Sequence, residues 1–334
     1  MVFVWFILAA AVTVFAAIKL STYADVISTK TAMGGLLVGT LLLAGATSLP
    51  EVTTSLSAVV IGNPDIAVGN MLGSNLFNLF IIACFDLYYR QRKLFLNASN
   101  DHLYTAGLGL LLTIMVLISL LLKIDVSVFN IGLDALIIAI VYIIGMVIIS
   151  RLPKAPAIEV PAEPKETKVD KKSAEFTMSV KHAVIGFIVA AIVIMGAGTV
   201  LSIMGDEIAV VTGLGSSFVG SFLIAATTSL PEAVSVLVAL RLRNVNLALG
   251  SILGSNIFNM LILAGSDIFY REGAIISAVS NSHIVTAVAV TILSIVIMGS
   301  VLMKKAASTF KYVLPSLIII VGYFVSSYLI FITQ

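Results

Sequence analysis

Apolar residues run along this chain in long unbroken stretches, without the one-sided stripe of a soluble helix or the alternation of a half-buried strand. A stretch of about 18 or more such residues is long enough to cross a bilayer as a helix. Ten can be placed, at roughly 3–20, 33–61, 66–87, 103–122, 130–150, 181–204, 214–240, 247–269, 283–302 and 311–331. Membrane strands would be shorter and would alternate apolar with polar residues, which these do not. The pattern predicts an all-α polytopic membrane protein with ten transmembrane helices.

Composition agrees: 60% of the residues are hydrophobic and 11% charged, with a mean hydropathy of +1.14, where a soluble domain carries about 25% charged residues. The stretch from Met1 to Ile18 has no basic residue ahead of it, unlike a cleaved signal, and its first positive charge, Lys19, follows it. If ten spans are right, 17 of the 19 Lys and Arg fall on one side and only Lys123 and Arg271 on the other. The positive-inside rule then predicts a multi-pass protein of the cell membrane with both termini outside the cytoplasm. It also puts the proline-rich, charged segment 151–180 in the cytoplasm, as a linker without a core. That linker separates an N-terminal five-helix half, 1–150, from a C-terminal one, 181–334. A single cysteine, Cys84, excludes an intrachain disulfide and a thiolate metal cluster.

The halves are copies. A gapless shift of 181 residues lays T-S-L-P-E (47–51) on T-S-L-P-E (228–232) and G-S-N-L-F-N (73–78) on G-S-N-I-F-N (254–259). It also pairs Asp86 with Asp267, Arg90 with Arg271 and His102 with His283. Five is an odd number of crossings, so the second half is expected to sit upside down relative to the first. Inverted repeats of this kind build a site at the bilayer midplane and allow alternating access.

The repeated motifs carry the candidate chemistry. Pro50 cannot donate a backbone hydrogen bond and is expected to open its helix around Thr47, as Pro231 is around Thr228. Exposed carbonyls are tolerated in a membrane where they line a cavity or meet a cation. Glu51 and Glu232 stand one residue after these prolines, and an ionisable group at that depth is expensive without a partner. From Glu51 the chain rises about 15 Å, turns through G-N-P-D, and returns about 18 Å to Asn78, at about 1.5 Å per residue. The same 27-residue spacing joins Glu232 to Asn259. Two glutamates and two asparagines are thus expected at one level, supported by Thr47, Ser48, Ser74, Thr228, Ser229 and Ser255. Such an all-oxygen set suits a hard cation such as Ca2+, which takes six to eight oxygens. Two facing carboxylates in a low dielectric cannot both stay ionised and empty, so they hold Ca2+, several monovalent ions or protons.

These motifs resemble the two α-repeats of the calcium/cation antiporter superfamily, most closely its prokaryotic sodium/calcium exchanger branch, over roughly residues 36–86 and 217–267. The resemblance implies that Glu51 and Glu232 ligate Ca2+ and Na+, with Thr47 and Thr228 as carbonyl or hydroxyl ligands. It implies further that Ser74, Ser255 and the carbonyls of Ala44 and Ala225 flank outer sodium positions, with Asn78 and Asn259 at the centre. The function implied is secondary antiport of Na+ against Ca2+, not enzymatic catalysis. Both ions are substrates and there is no resident cofactor. The lipid bilayer is the surrounding partner, nucleic acid is no partner, and one chain suffices to enclose the site, with the oligomeric state open. Exchange of Ca2+ against H+ by the same carboxylates is the alternative. T-S-L-P-E stands where the proton branch usually shows G-N-x-x-E, which favours sodium. The second G-N-x-x-G-S-N departs from the family pattern at Ser251, and an amide at Asn259, where the potassium-dependent branch carries Asp, argues against a potassium requirement.

Other polar residues have plainer expectations. Asp86 and Asp267 each precede an Arg by four residues, the spacing of a helix-end ion pair. His102 and His283 stand at predicted helix starts, where interfacial polar residues are routine. The pairs Gly69-x-x-x-Gly73 and Gly250-x-x-x-Gly254 suggest close helix packing. A channel would usually gather its carboxylates from several subunits, whereas one chain here already supplies the pair. No nucleophile with a nearby base, H-E-x-x-H or nucleotide loop suggests an enzyme.

Overall fold

The structure is a computed structural model that describes residues 1–30, 45–152, 178–241, 244–303 and 308–333. It is nearly all helical. In chain order the helices are α1 (Val2–Lys30), α2 (Leu49–Val60), α3 (Pro64–Tyr88), α4 (His102–Leu122), α5 (Leu133–Arg151) and α6 (Val180–Thr212). They continue as α7 (Ser216–Thr228), α8 (Leu230–Arg241), α9 (Val245–Ser266), α10 (Ser282–Leu302) and α11 (Thr309–Thr333). Eight of these are long and apolar enough to cross a membrane, and α7 with α8, bent by 41° at their junction, make a ninth. The first part of the predicted span 33–61 lies outside the described residues, as does most of the predicted linker, 153–177.

Polar helices lie at the centre and apolar ones around them. The apolar stretch of α3 is 89% buried and that of α9 67%, against 11% for α5 and 22% for α6. A helix apolar on all sides can face lipid at no cost, while one that carries Asn, Ser and Gly needs other helices around it. Accordingly α3 touches α2, α7, α9, α10 and α11, and α9 touches α3, α4, α5 and α8. Long α6 packs along α1 and α2.

The turns follow from local chemistry. Gly62, at φ +84°, ends α2 with Asn63 N–H on the Ala58 carbonyl (2.9 Å) and Gly62 N–H on that of Val59 (3.1 Å), a Schellman close. Asn63 then caps α3 by accepting from Ile66 N–H (3.2 Å), with Pro64 at the first helical position. Asn244 repeats that cap for α9, accepting from Leu247 N–H (3.0 Å). Before α5 there is a two-strand ribbon, Ser127–Val128 against Ile131–Gly132, so this helix begins a few residues later than the predicted 130. Phe129 and Asn130, both at positive φ, form its tight turn.

Close backbone approach fixes the middle of the bundle. A methyl group on Gly69 would stand 3.0 Å from Ser221 N, and one on Gly73 would run into the Ser221 backbone. Ser221 belongs to a π-helical stretch of α7, Val219–Ile224. The first glycine pair thus packs as expected, against α7. The second does not show the same contact: Gly254 has no described neighbour within 4 Å, and Gly250 faces His102.

Candidate cation-binding site

Both glutamates sit in the first turn of a helix that starts at a break. Ser48 (φ −90°, ψ 6°) and Ser229 (φ −86°, ψ 4°) leave the helical path, and α2 and α8 begin at the next residue. The breaks therefore fall one residue beyond Thr47 and Thr228, where they were expected. Each proline lies in the first turn of the new helix, where its missing N–H costs no hydrogen bond. The serine carbonyls accept the first bonds of the new helices, from Val52 N–H (3.1 Å) and Ala233 N–H (3.2 Å).

The serine side chains do not cap their own helices; they cross between the copies. Ser229 Oγ donates to Glu51 Oε1 (3.2 Å), and Ser48 Oγ reaches Glu232 Oε1 at a longer 3.5 Å. Thr228 likewise faces Glu51, and Thr47 faces Glu232. Each glutamate is 1% exposed, and the two are near enough for their charges to act on one another.

The asparagines of α3 and α9 also cross. Asn75 Nδ2 donates to the Asn256 carbonyl (3.1 Å) and Asn256 Nδ2 to the Asn75 carbonyl (3.3 Å). Asn78 Nδ2 donates to Asn256 Oδ1 (2.9 Å), and Asn259 Nδ2 to Asn75 Oδ1 (3.0 Å). All four side chains are buried. Asn75 and Asn256 belong to the repeated G-S-N, where spacing alone assigns them no role of their own. Asn70 is a further addition: its Oδ1 accepts from Thr228 Oγ1 (3.1 Å) and its Nδ2 donates to Ser55 Oγ (3.1 Å).

Beside the hydroxyls of Thr13, Thr54, Ser221 and Thr286, five buried oxygens of the expected ligands are left without a partner: Glu51 Oε2, Glu232 Oε2, Asn78 Oδ1, Asn259 Oδ1 and Ser74 Oγ. Buried polar atoms are nearly always paired, so such a set calls for an explanation. Four of the five are pure acceptors carrying full or partial negative charge, which a cation satisfies and a hydrophobic packing partner does not. Among the described residues no three of His, Cys, Asp and Glu are arranged to hold a metal ion by themselves. The candidate donors are two carboxylates with amide and hydroxyl oxygens, hard ligands of the kind a hard cation takes.

Other candidates differ in placement. Ser255 is buried on α9. The Ala225 carbonyl accepts from Ser229 N–H (3.1 Å) and, more distantly, from Thr228 Oγ1 (3.4 Å). Ala44 lies outside the described residues. Asp86 is bonded by Tyr312 Oη and by Ser316 Oγ (2.6 Å) of α11, and Asp267 by Ile275 N–H (2.7 Å) and Gly132 N–H. The helix-end pairs expected with Arg90 and Arg271 are replaced by these bonds, because both carboxylates point into the protein. His102 Nε2 meets Asn246 Oδ1 (3.2 Å). His283 Nε2 meets Asp65 Oδ1 (2.9 Å), which also accepts from Ser280 N–H (2.8 Å) and Ser217 Oγ (3.2 Å). His283 is fully buried, not interfacial as its position suggested. Cys84 is a free, partly buried thiol.

The sodium/calcium exchanger protein family matches the chain over residues 1–151 and 182–332. The inner membrane protein YrbG of Escherichia coli (strain K12) is 24% identical over 265 residues, 78% of either chain. Among solved structures, the H+/Ca2+ exchanger CAX superposes with a TM-score of 0.68 at 16% identity, over 99% of this chain and 86% of that one. The sodium-calcium exchanger NCX_Mj, soaked with 2.5 mM Na+ and 10 mM Sr2+, gives a TM-score of 0.58 at 20% identity, over 97% and 98%. At those identities the likeness is one of fold.

Proposed function

Since this chain belongs to the sodium/calcium exchanger protein family, we propose that it is a secondary antiporter exchanging Na+ for Ca2+ by alternating access, with Glu51 and Glu232 at the centre of one midplane site. The observation that carries this reading is the set of unpartnered buried oxygens on those two glutamates, Asn78, Asn259 and Ser74. Thr47, Ser48, Thr228, Ser229 and Ser255, with the carbonyls of Ala44 and Ala225, complete the proposed ligand shell. In this reading ten spans form two inverted five-helix halves, 1–150 and 181–334, joined by a cytoplasmic linker, with both termini extracytoplasmic. One chain is sufficient to transport.

The coupling follows from charge. Two carboxylates near one another repel unless they are neutralised, so the site is stable only when filled. One Ca2+ balances both; monovalent ions do so only in number. A filling that leaves the charges balanced lets the helices reorganise around it, while an empty dianionic site resists, so the carrier returns only with the other ion aboard. The break at Ser48 and Ser229 places non-helical backbone beside the proposed site, where a change in helix direction would alter access and ligand geometry together.

A second reading replaces Na+ with H+. It is favoured by the superposition on the H+/Ca2+ exchanger CAX and by the ability of the same carboxylates to take protons in place of metal. Calcium uptake into vesicles reconstituted with the full chain separates the two when sodium, potassium and pH gradients are imposed one at a time. Uptake driven by a sodium gradient at equal pH supports the first reading. Uptake driven by pH and indifferent to sodium sinks it in favour of the second, and flux without any counter-ion sinks both.

A further inference from the structure

We propose that Asn75 and Asn256 are positioning residues that fix which end of the Asn78 and Asn259 amides faces the transported cation. The inference rests on reading Glu51 and Glu232 as the cation site.

A carboxamide has two ends of nearly equal size and opposite polarity. The oxygen attracts a cation, and the NH2 repels it. An asparagine ligand is useful in one orientation and harmful in the other, and shape alone does not choose between them. In this protein a chain of bonds makes the choice. Asn256 Nδ2 donates to the main-chain carbonyl of Asn75 (3.3 Å), a group that cannot turn over because it belongs to α3. With its nitrogen so directed, Asn256 presents Oδ1 to Asn78, whose Nδ2 donates to it (2.9 Å). Turning the Asn78 amide would set oxygen against oxygen there and aim the NH2 the other way. The Asn78 oxygen is thereby left facing away from the bond, buried and without a partner.

The second copy repeats the sequence of constraints in reverse. Asn75 Nδ2 donates to the Asn256 carbonyl (3.1 Å), and Asn75 Oδ1 accepts from Asn259 Nδ2 (3.0 Å), which leaves Asn259 Oδ1 unpartnered. Each copy thus anchors the ligand of the other. The alternative explanation is that the four amides simply hold α3 to α9. It accounts for the cross-helix bonds. It does not account for both ligand amides being bonded through nitrogen and bare at oxygen, when either end could have served for adhesion.

The two explanations differ in one measurable respect. A carboxylate offers an oxygen whichever way it is turned, so an aspartate at position 78 has no need of Asn256 to orient it. The probe is CaCl2, titrated calorimetrically into the purified full-length protein. Asn256→Leu should weaken Ca2+ binding by about 10- to 100-fold, the usual effect of removing a partner that orients a metal ligand. In an Asn78→Asp background the same change should cost less than about threefold, because orientation no longer matters. An Asn256→Leu protein that binds Ca2+ like the wild type overturns the proposal. So does an equal loss in both backgrounds, which is the signature of helix adhesion alone. Where Asn256→Leu does not yield folded protein by thermal unfolding, Asn256→Ala takes its place with the same outcomes. Glu51→Gln, titrated alongside, separates the two levels of the reading. Undiminished binding in that variant overturns the cation site itself and this inference with it; binding lost in Glu51→Gln but unchanged in Asn256→Leu overturns the positioning role alone.

Discussion

At the centre of the protein the two copies answer each other bond for bond, with Ser229 on Glu51 and Ser48 on Glu232, and with each of the four asparagines matched by its counterpart 181 residues away. Towards the ends of the helices the correspondence fails. His102 bonds an amide, Asn246, while His283 bonds a carboxylate, Asp65. One contact at the centre departs as well: Asn70 holds the Thr228 hydroxyl, and the position that should do this for Thr47 carries Ser251, whose oxygen is one bond nearer the backbone. Asp86 takes bonds from two hydroxyls of α11 beside one backbone group, at Leu94, and Asp267 from backbone N–H groups. The difference has a physical origin. On the proposed reading, central residues of both copies would serve one transported ion, and equal treatment of it by both halves would keep two access states close in energy. On that reading, residues at the helix ends would face two different membrane surfaces and be under no such constraint.

Substitutions at the centre should therefore act alike in the two copies, and those at the ends unlike. The largest effect is expected at the carboxylates. Glu51→Gln and Glu232→Gln should each lower calcium exchange in reconstituted vesicles by more than about 100-fold, since each removes half the charge that balances a divalent ion. A tenfold disparity between them would break the equivalence. Next comes the pair that the copies do not share. Asn70→Ala removes one acceptor of the Thr228 hydroxyl, which keeps Glu51 and the more distant Ala225 carbonyl, and should weaken Ca2+ binding by about tenfold, whereas Ser251→Ala should change it by less than about twofold. Equal losses would show that Ser251 does the work of Asn70 in the second copy.

The two aspartates offer a comparison of stability. An amide in place of Asp267 turns an NH2 towards backbone N–H groups that cannot become acceptors, and should cost about 1–3 kcal/mol. In place of Asp86 the same amide meets hydroxyls of Tyr312 and Ser316, which can rotate to accept, and the cost should be under about 1 kcal/mol. Thermal unfolding in detergent measures both, and a reversed order would contradict the geometry. The smallest effect is expected from Asp65→Asn, which makes the His283 contact resemble that of His102. Exchange should stay within about threefold of wild type, because the neutral bond survives. A tenfold change in initial uptake rates would move Asp65 and His283 from the frame of the protein into its transport cycle.

Much of this was legible in the sequence, and what was not has identifiable causes. Hydropathy located the crossing helices to within a few residues at most ends, because a lipid-facing helix must be apolar along its whole length. The gapless shift exposed Glu51 and Glu232 as a pair, and the 27-residue spacing picked out Asn78 and Asn259 through simple helix geometry. The roles of Asn75 and Asn256 stayed hidden. Their bonds run between copies, and a spacing within one copy carries no trace of them. Asp86 was misread for a related reason: its partners Tyr312 and Ser316 lie 226 and 230 residues away, while Arg90 lay close by in sequence. The break at Ser48 and Ser229 was displaced by one residue because a proline fixes that a helix restarts, but leaves open how much of the turn ahead of it stays helical.

The crossing of Ser48 to Glu232 and Ser229 to Glu51 also makes each half depend on the other. Neither half contains a carboxylate together with the hydroxyl that attends it. The arrangement has the reciprocity of a twofold dimer, in which residue i meets residue j and j meets i. Two separate half-length chains would have to associate to make the same exchange, whereas one covalent chain makes it within a single molecule.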